Sequence, residues 1–142
     1  MTVMIDTLSK LHVAAIDARD GYKHASEDAD GAALRPLFNT MQSLHGKRVD
    51  ELGGILSALG ALPQESGSLM SVVNRTIVSI RSLFGGLDQS VLPGLINGEE
   101  QIIVSYNDAL SSLDLTAGNR ALLTQHRDDI RAQIDNMRTQ TH

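Results

Sequence analysis

Four charged or titratable side chains stand at positions where the chain's helical repeat otherwise has apolar residues: His45, Arg48, Glu99 and His126. His12 lies one position off the same repeat. Imidazole nitrogens and a carboxylate are ligands that zinc and non-haem iron accept. The same side chains can instead pair with one another, because burying a carboxylate without a partner carries a large free-energy penalty.

These residues allow two interpretations. One is a single iron or zinc ion held by His12, His45, Glu99 and His126. The other is a structural core network in which Arg48 pairs with Glu99 while His45 and His126 lie nearby. An arginine beside a metal cation is repelled by it, so the sequence favours the network. We therefore predict no catalytic residue, no cofactor-binding residue and no cofactor, with one iron or zinc ion as the alternative.

A two-iron centre of the ferritin type has little support in the sequence. Such a centre requires a Glu-x-x-His motif on each of two helices. The residue three positions before His45 is Gln42, and the one before His126 is Leu123. The chain also contains no cysteine, which excludes thiolate ligands, disulfides and thiol catalysis.

The elements that must position these residues are helices. Apolar residues recur with the helical period in every long segment, and no segment alternates with period two. Pro36 and Pro93 are expected in first turns, Thr116 is expected as an N-cap, and Gly60 is expected to end the second helix. The pattern predicts four long helices and one shorter helix between the second and third, over about Thr2–Ser26, Ala32–Leu59, Ser68–Phe84, Ser90–Leu113 and Ala117–Arg138.

Connection lengths predict how the helices are arranged. Short turns make the first two helices antiparallel, and the last two likewise. The long segment between these pairs lets the second and third long helices run parallel. We therefore predict an all-α, ferritin-like four-helix bundle with up-down-down-up order and a short crossover helix. Counting residues from each turn places His12 opposite His45, and places Glu99 and His126 within about 8 Å of axial height.

Size and charge limit the function classes. The 142 residues suit a single domain over 1–142, and the net charge is −5 without any Lys/Arg run. Nucleic-acid binding is therefore not expected. The N-terminal segment does not have the pattern of a signal peptide, and no apolar stretch is long enough to span a bilayer. We predict a soluble cytoplasmic protein without a transmembrane segment.

Several short segments, in this order and spacing, resemble a bacterial ferritin-like four-helix-bundle family of unknown function. The resemblance covers nearly the whole chain and implies the fold, but no established activity. An aromatic residue expected near Ile77 or Val78 is absent. The segments that carry the resemblance are Asp20-Gly21-Tyr22, Arg48-Val49-Asp50-Glu51-Leu52, Leu59-Gly60, Arg81-Ser82-Leu83, Gly98-Glu99-Glu100 and Tyr106-Asn107-Asp108-Ala109-Leu110.

Two functions from different classes follow. We expect a protein that is not an enzyme and acts through surface or dimer contacts, in a stress-related setting. The alternative is a metal-binding redox or storage protein with a site in the bundle core. The uncharged Leu52–Leu62 stretch and the apolar crossover helix exceed what a small bundle buries easily, so we predict a homodimer. Its small-molecule ligand, if it has one, is not indicated by the sequence.

Overall fold

The computed structural model describes residues 2–28, 34–61 and 91–140. These ranges form four helices and contain no strand, which confirms the predicted all-α class. Their ends differ by at most a few residues from the predicted ones. The predicted crossover helix lies outside the described residues. The helices are α1 (Thr2–Asp28), α2 (Arg35–Ala58), α3 (Leu92–Ser112) and α4 (Ala117–Thr139).

Helix starts follow the expected local chemistry. Pro36 and Pro93 lie in the first turns of α2 and α3, where a missing N–H removes no intrahelical hydrogen bond. Thr116 is the N-cap of α4, and its Oγ1 accepts a hydrogen bond of 3.1 Å from the backbone N–H of Asn119. Pro36, Pro93 and Thr116 therefore lie at the starts of α2, α3 and α4, as the sequence predicted.

The end of α2 is fixed by Gly60. Its φ of 81° lies in the left-handed region that glycine adopts without a steric penalty. The backbone N–H of Ala61 donates to the carbonyl of Leu56 (2.9 Å), and that of Gly60 donates to Ser57 (3.0 Å). This is the Schellman pattern, which satisfies the last carbonyls and stops the helix.

The helices form two hairpins. The N-terminal hairpin is α1 packed on α2, and the C-terminal hairpin is α3 packed on α4. The hairpins meet where α1 packs on α3 and α2 packs on α4. Three hydrogen bonds show that α3 and α4 run antiparallel: Arg120 to the Leu110 carbonyl, Arg127 to Asn107, and Arg138 to Glu100.

All four helices contribute to one apolar core. Tyr22 of α1 packs against Phe38 of α2, with ring centroids 6.2 Å apart. Leu52, Ile55 and Leu56 are also buried in this core. That part of the Leu52–Leu62 stretch therefore supplies no exposed apolar surface for a dimer, contrary to the argument made from the sequence.

Candidate functional site: a buried polar network

A hydrogen-bonded network of polar side chains crosses the apolar core and connects the four helices. Its residues on α2 recur every three positions and those on α3 lie seven positions apart, which places each set on one face of its helix. The network consists of Tyr22 on α1, His45, Arg48 and Glu51 on α2, Glu99 and Tyr106 on α3, and His126 on α4.

Glu99 forms one end of the network. Its side chain is fully buried, and Oε1 accepts hydrogen bonds from the Tyr22 hydroxyl (2.8 Å) and from His45 Nε2 (2.7 Å). The His45 ring is stacked on the Tyr22 ring, with centroids 5.6 Å apart and planes 8° apart. The carboxylate of α3 is therefore held by groups from both helices of the N-terminal hairpin.

Arg48 lies at the middle of the network and is 1% exposed. Its Nε donates to the Tyr106 hydroxyl (2.7 Å), and its Nη1 donates to His45 Nδ1. The guanidinium also lies 5.0 Å from the Tyr106 ring centroid. The direct Arg48–Glu99 pair predicted from the sequence is not formed, because the His45 ring lies between the two charged groups and hydrogen bonds to both.

The other end of the network reaches the surface at Glu51. The Tyr106 hydroxyl donates to His126 Nδ1 (3.0 Å), and His126 Nε2 donates to Glu51 Oε1 (3.3 Å). His126 is 3% exposed, whereas the Glu51 side chain is 28% exposed. His126 is therefore the network histidine whose partner is accessible to water.

The directions of the hydrogen bonds follow from Arg48, whose guanidinium has only donors, and from the carboxylates of Glu99 and Glu51, which only accept. His45 Nδ1 must accept from Arg48, so His45 carries its proton on Nε2 and donates it to Glu99. The Glu51 carboxylate only accepts, so neutral His126 carries its proton on Nε2 and donates it to Glu51. Its Nδ1 then accepts the Tyr106 hydroxyl proton, while the Tyr106 oxygen accepts from Arg48. Both histidines are neutral in this arrangement.

The pKa directions agree with neutral histidines beside an ionised carboxylate. Burial lowers the pKa of His45, with a smaller opposing effect from Glu99. Burial and then Arg48 lower the pKa of His126, against Glu51 and Asp129. Burial alone would raise the pKa of Glu99, but His45, the Tyr22 hydroxyl and Arg48 together hold it below its ordinary value.

The two tyrosines act as neutral donors. Burial, and then the charge of Glu99, raise the pKa of Tyr22 well above its ordinary value. Burial also raises the pKa of Tyr106, although Arg48 opposes this. Two buried atoms of the network, Glu99 Oε2 and Arg48 Nη2, have no hydrogen-bond partner among the described residues. The network therefore carries a desolvation penalty that its hydrogen bonds do not fully offset.

His12 is buried but lies outside the network, which corrects the prediction that it faces His45. Burial lowers the pKa of His12, and a backbone hydrogen bond at Val49 opposes this. His12 therefore lies beside Val49, one helical turn from His45. The difference arises because α1 extends to Asp28 and α2 begins only at Arg35, so the pairing is shifted by about one turn.

The structure brings His45, Arg48, Glu99 and His126 into one hydrogen-bonded network and adds three residues to them. Tyr22, Glu51 and Tyr106 stood only within the segments that carry the family resemblance, and no role was assigned to them from the sequence. Their spacing is the signal that could have found them: Glu51 lies three positions after Arg48, and Tyr106 lies seven positions after Glu99. Among the described residues, no three His, Asp or Glu side chains are arranged to hold a metal ion.

In the described part of the chain, two surface grooves between helices are well defined. One, of about 200 Å³, lies between α1 and α3 and is lined in part by Lys10, Ile102 and Asp108. The other, of about 390 Å³, lies between α3 and α4 and is lined in part by Val104 and Ile134. No residue of the network lines either groove, so neither provides a path to Glu99 or Arg48.

These features define a class of all-helical protein in which a buried polar network joins two helical hairpins. The chain belongs to the family described as a domain of unknown function (DUF2383), whose model matches residues 3–112. The match covers α1, α2 and α3, and thus every network position except His126. A comparison with curated proteins gave no significant match. None of the described helices is long and apolar enough to cross a membrane.

Proposed function

We propose that this protein is not an enzyme and acts through its surface, with the polar network as the structural element that holds its hairpins together. One observation carries the proposal: the guanidinium of Arg48 lies between the two core histidines, where a metal ion would have to lie. Both ring nitrogens of His45 and of His126 are already used in hydrogen bonds. A site that binds substrate or metal needs free donor atoms facing open space.

The ferritin-like, up-down-down-up order is part of this proposal. It is supported by contacts between α1 and α3. Tyr22, near the end of α1, hydrogen bonds to Glu99 in the first half of α3. Thr7, near the start of α1, shares a groove with Asp108, near the end of α3. The two helices are therefore antiparallel, whereas an up-down-up-down bundle would make them parallel. The bacterial origin expected from the resemblance stays a prediction.

Elemental analysis tests the proposal against the alternative of one iron or zinc ion. Protein purified without a chelator should contain no stoichiometric metal. His45→Gln should leave the metal content unchanged, and exposed His24→Gln serves as the matched control. One iron or zinc ion per chain that is lost in His45→Gln and retained in His24→Gln would support the metal-binding function and contradict our proposal.

The homodimer also stays a proposal, and its partner surface has to lie elsewhere than on the buried part of the Leu52–Leu62 stretch. The exposed large apolar residues among those described are Val3 and Val104, at 70% and 57% exposure. Light scattering at micromolar concentration should give a dimer mass. Val104→Asp should weaken the dimer, whereas Gln101→Asp on the same helix should not. The cytoplasmic location and the stress-related role stay predictions from the sequence.

A further inference from the structure

A stripe of exposed charged side chains runs along α4. Asp128, Arg131, Asp135 and Arg138 follow one another at spacings of three, four and three residues, which places them on one face of the helix. Each of these side chains is at least half exposed. Their charges alternate from negative to positive along the helix. We call these four residues the charge stripe.

The charge stripe is complementary to a reversed copy of itself. Its spacings are the same in both directions, whereas the order of its charges is inverted when the direction is reversed. When a second α4 lies antiparallel to the first with the midpoints of the two stripes aligned, Arg131 of each protomer faces Asp135 of its partner, and Asp128 faces Arg138. A two-fold axis produces this arrangement, because every contact then occurs twice. A parallel copy in register would instead place each charge opposite a charge of the same sign.

Exposed apolar surface lies beside the midpoint of the charge stripe. Two hydrogen bonds between α3 and α4 determine which residues are level: Arg138 to Glu100 and Arg127 to Asn107. They place the midpoint of the charge stripe level with Val104 of α3. Val104 is 57% exposed and lines the groove between α3 and α4, which the charge stripe also lines. An apolar centre with charged residues around it is typical of a protein interface.

Within one protomer, the contacts between charges of the stripe are long. Arg131 Nη1 lies 3.9 Å from Asp128 Oδ1, and Arg138 Nη1 lies 3.6 Å from Asp135 Oδ1. Both distances exceed the about 2.7–2.9 Å of a charge-assisted hydrogen bond. Arg131 and Asp135, at the centre of the stripe, therefore keep the capacity to hydrogen bond across an interface.

We propose that two copies of this chain associate groove to groove about a two-fold axis at the level of Val104, so that the two Val104 side chains pack together and Arg131 of each protomer pairs with Asp135 of its partner. This inference rests on the proposed function, in which the protein acts through surface or dimer contacts. The apolar centre supplies affinity. The charges set the direction and register of α4 against α4, because exposed ion pairs add little affinity whereas facing like charges weaken binding strongly.

The test reverses one charge in each of two variants and then mixes the variants. Arg131→Asp places a carboxylate opposite Asp135 at both ends of the dimer, and Asp135→Arg places a guanidinium opposite Arg131. Each variant alone should therefore raise the dimer dissociation constant about tenfold or more. In an equimolar mixture every contact again joins an arginine to an aspartate, so the mixed dimer should form about as well as the unaltered one. Sedimentation velocity measures the masses.

Lys23 and Glu27 of α1 are the matched control, because they also carry opposite charges four residues apart at exposed positions. Lys23→Asp and Glu27→Arg, alone or mixed, should leave the mass unchanged. Circular dichroism shows whether each variant is folded. If Arg131→Asp does not fold, Arg131→Glu with Asp135→Lys as the second variant repeats the same test.

The outcomes distinguish this inference from the proposed function. If both charge-reversal variants stay dimeric, the contact lies on another surface, and this inference is wrong while the homodimer stands. If the variants are monomeric alone and also when mixed, the reciprocal antiparallel pairing is wrong. If the unaltered protein is a monomer at high micromolar concentration, both the homodimer and this inference are wrong. Association of the mixed variants alone, with an unchanged control, supports the proposed interface.

Discussion

The contact inside the N-terminal hairpin and the contact between the hairpins differ in what holds them. Inside the hairpin, α1 and α2 bury apolar side chains such as Leu11, Phe38 and Met41. Between the hairpins, the same core contains an arginine, two histidines and a glutamate. Each hydrogen bond of these residues has a defined donor and a defined acceptor. Apolar packing depends on volume and tolerates a change of pH, whereas the polar contact depends on which atoms carry protons. One core thus contains an apolar contact that does not depend on pH and a polar contact that depends on the protonation of its side chains.

The largest effect should come from removing one buried charge. Arg48→Ala or Glu99→Ala leaves the other charge buried, so each should lower the free energy of unfolding by about 3–5 kcal/mol. Urea denaturation measures this. Arg48→Met with Glu99→Leu should cost much less than the two single changes together, with coupling well above about 0.5 kcal/mol.

The exposed pair of Arg138 and Glu100, 2.6 Å apart, is the matched control for that prediction. Single alanine changes there should alter the free energy of unfolding by about 1 kcal/mol or less. If the buried and exposed pairs gave similar values, the distinction between the polar contact and ordinary surface charges would be wrong.

Removing an apolar side chain inside the N-terminal hairpin should lower the free energy of unfolding by a similar amount, but this loss should not depend on pH. Phe38 is fully buried against Tyr22, and Phe38→Ala should lower the free energy of unfolding by about 3 kcal/mol or more. Because Phe38 does not titrate, the loss should be nearly the same at every pH at which the protein folds. A loss that varied strongly with pH would show that the two contacts are not separable.

The stability of the folded protein should fall as the pH drops below about 6.5. The pKa values of His12, His45 and His126 are lowered by folding, so the unfolded chain binds more protons below the ordinary histidine pKa. Each histidine contributes up to about 1.4 kcal/mol per pH unit. Urea midpoints measured over a pH series should show this slope, and His45→Gln should reduce it.

Asp17 changes the pH dependence of the free energy of unfolding in the direction opposite to that of the three histidines. Burial, and then the charge of Asp20, raise its pKa to about 6, so the folded state binds this proton more tightly than the unfolded state. Protonation of Asp17 therefore partly offsets the histidines between about pH 6 and about pH 4. Asp17→Asn should make the loss of stability on acidification steeper, and a shallower loss would contradict the assigned direction.

The smallest expected losses of folding stability come from two tyrosines that differ in their number of hydrogen-bond partners. Tyr22→Phe removes one donor to Glu99, whose Oε1 keeps the bond from His45, and should cost about 1 kcal/mol. Tyr106→Phe removes an acceptor for Arg48 and a donor to His126, and should cost about 2 kcal/mol or more. Thermal unfolding of the two variants gives the comparison, and equal losses would mean that Tyr106 does not connect the two ends of the network.

The sequence predicted the helices well because local signals determine them. Apolar periodicity located the helices in the described ranges, and Pro36, Pro93, Gly60 and Thr116 located their ends to within a few residues. The same periodicity placed His45, Arg48, Glu99 and His126 on inward faces.

The sequence could not predict which of these side chains touch. Partner choice depends on the axial alignment of neighbouring helices, and one turn of error is about 5.4 Å. That error placed His12 opposite His45. The predicted Arg48–Glu99 ion pair is absent for a related reason. An axial difference of this size decides whether the His45 ring fits between the guanidinium and the carboxylate.

The fixed direction of hydrogen bonds around Arg48 has a consequence for how this protein can change by mutation. Arg48 donates to His45 and to Tyr106 at once, so a lysine there would lose the forked geometry that reaches both. A single substitution at the centre of the network leaves two acceptors without their donor. We therefore expect that residues at positions 45, 48, 99 and 106 change together in a library that is randomised there and selected for folding. Folded variants should have apolar residues at all four positions or keep all four polar residues, and few should combine the two.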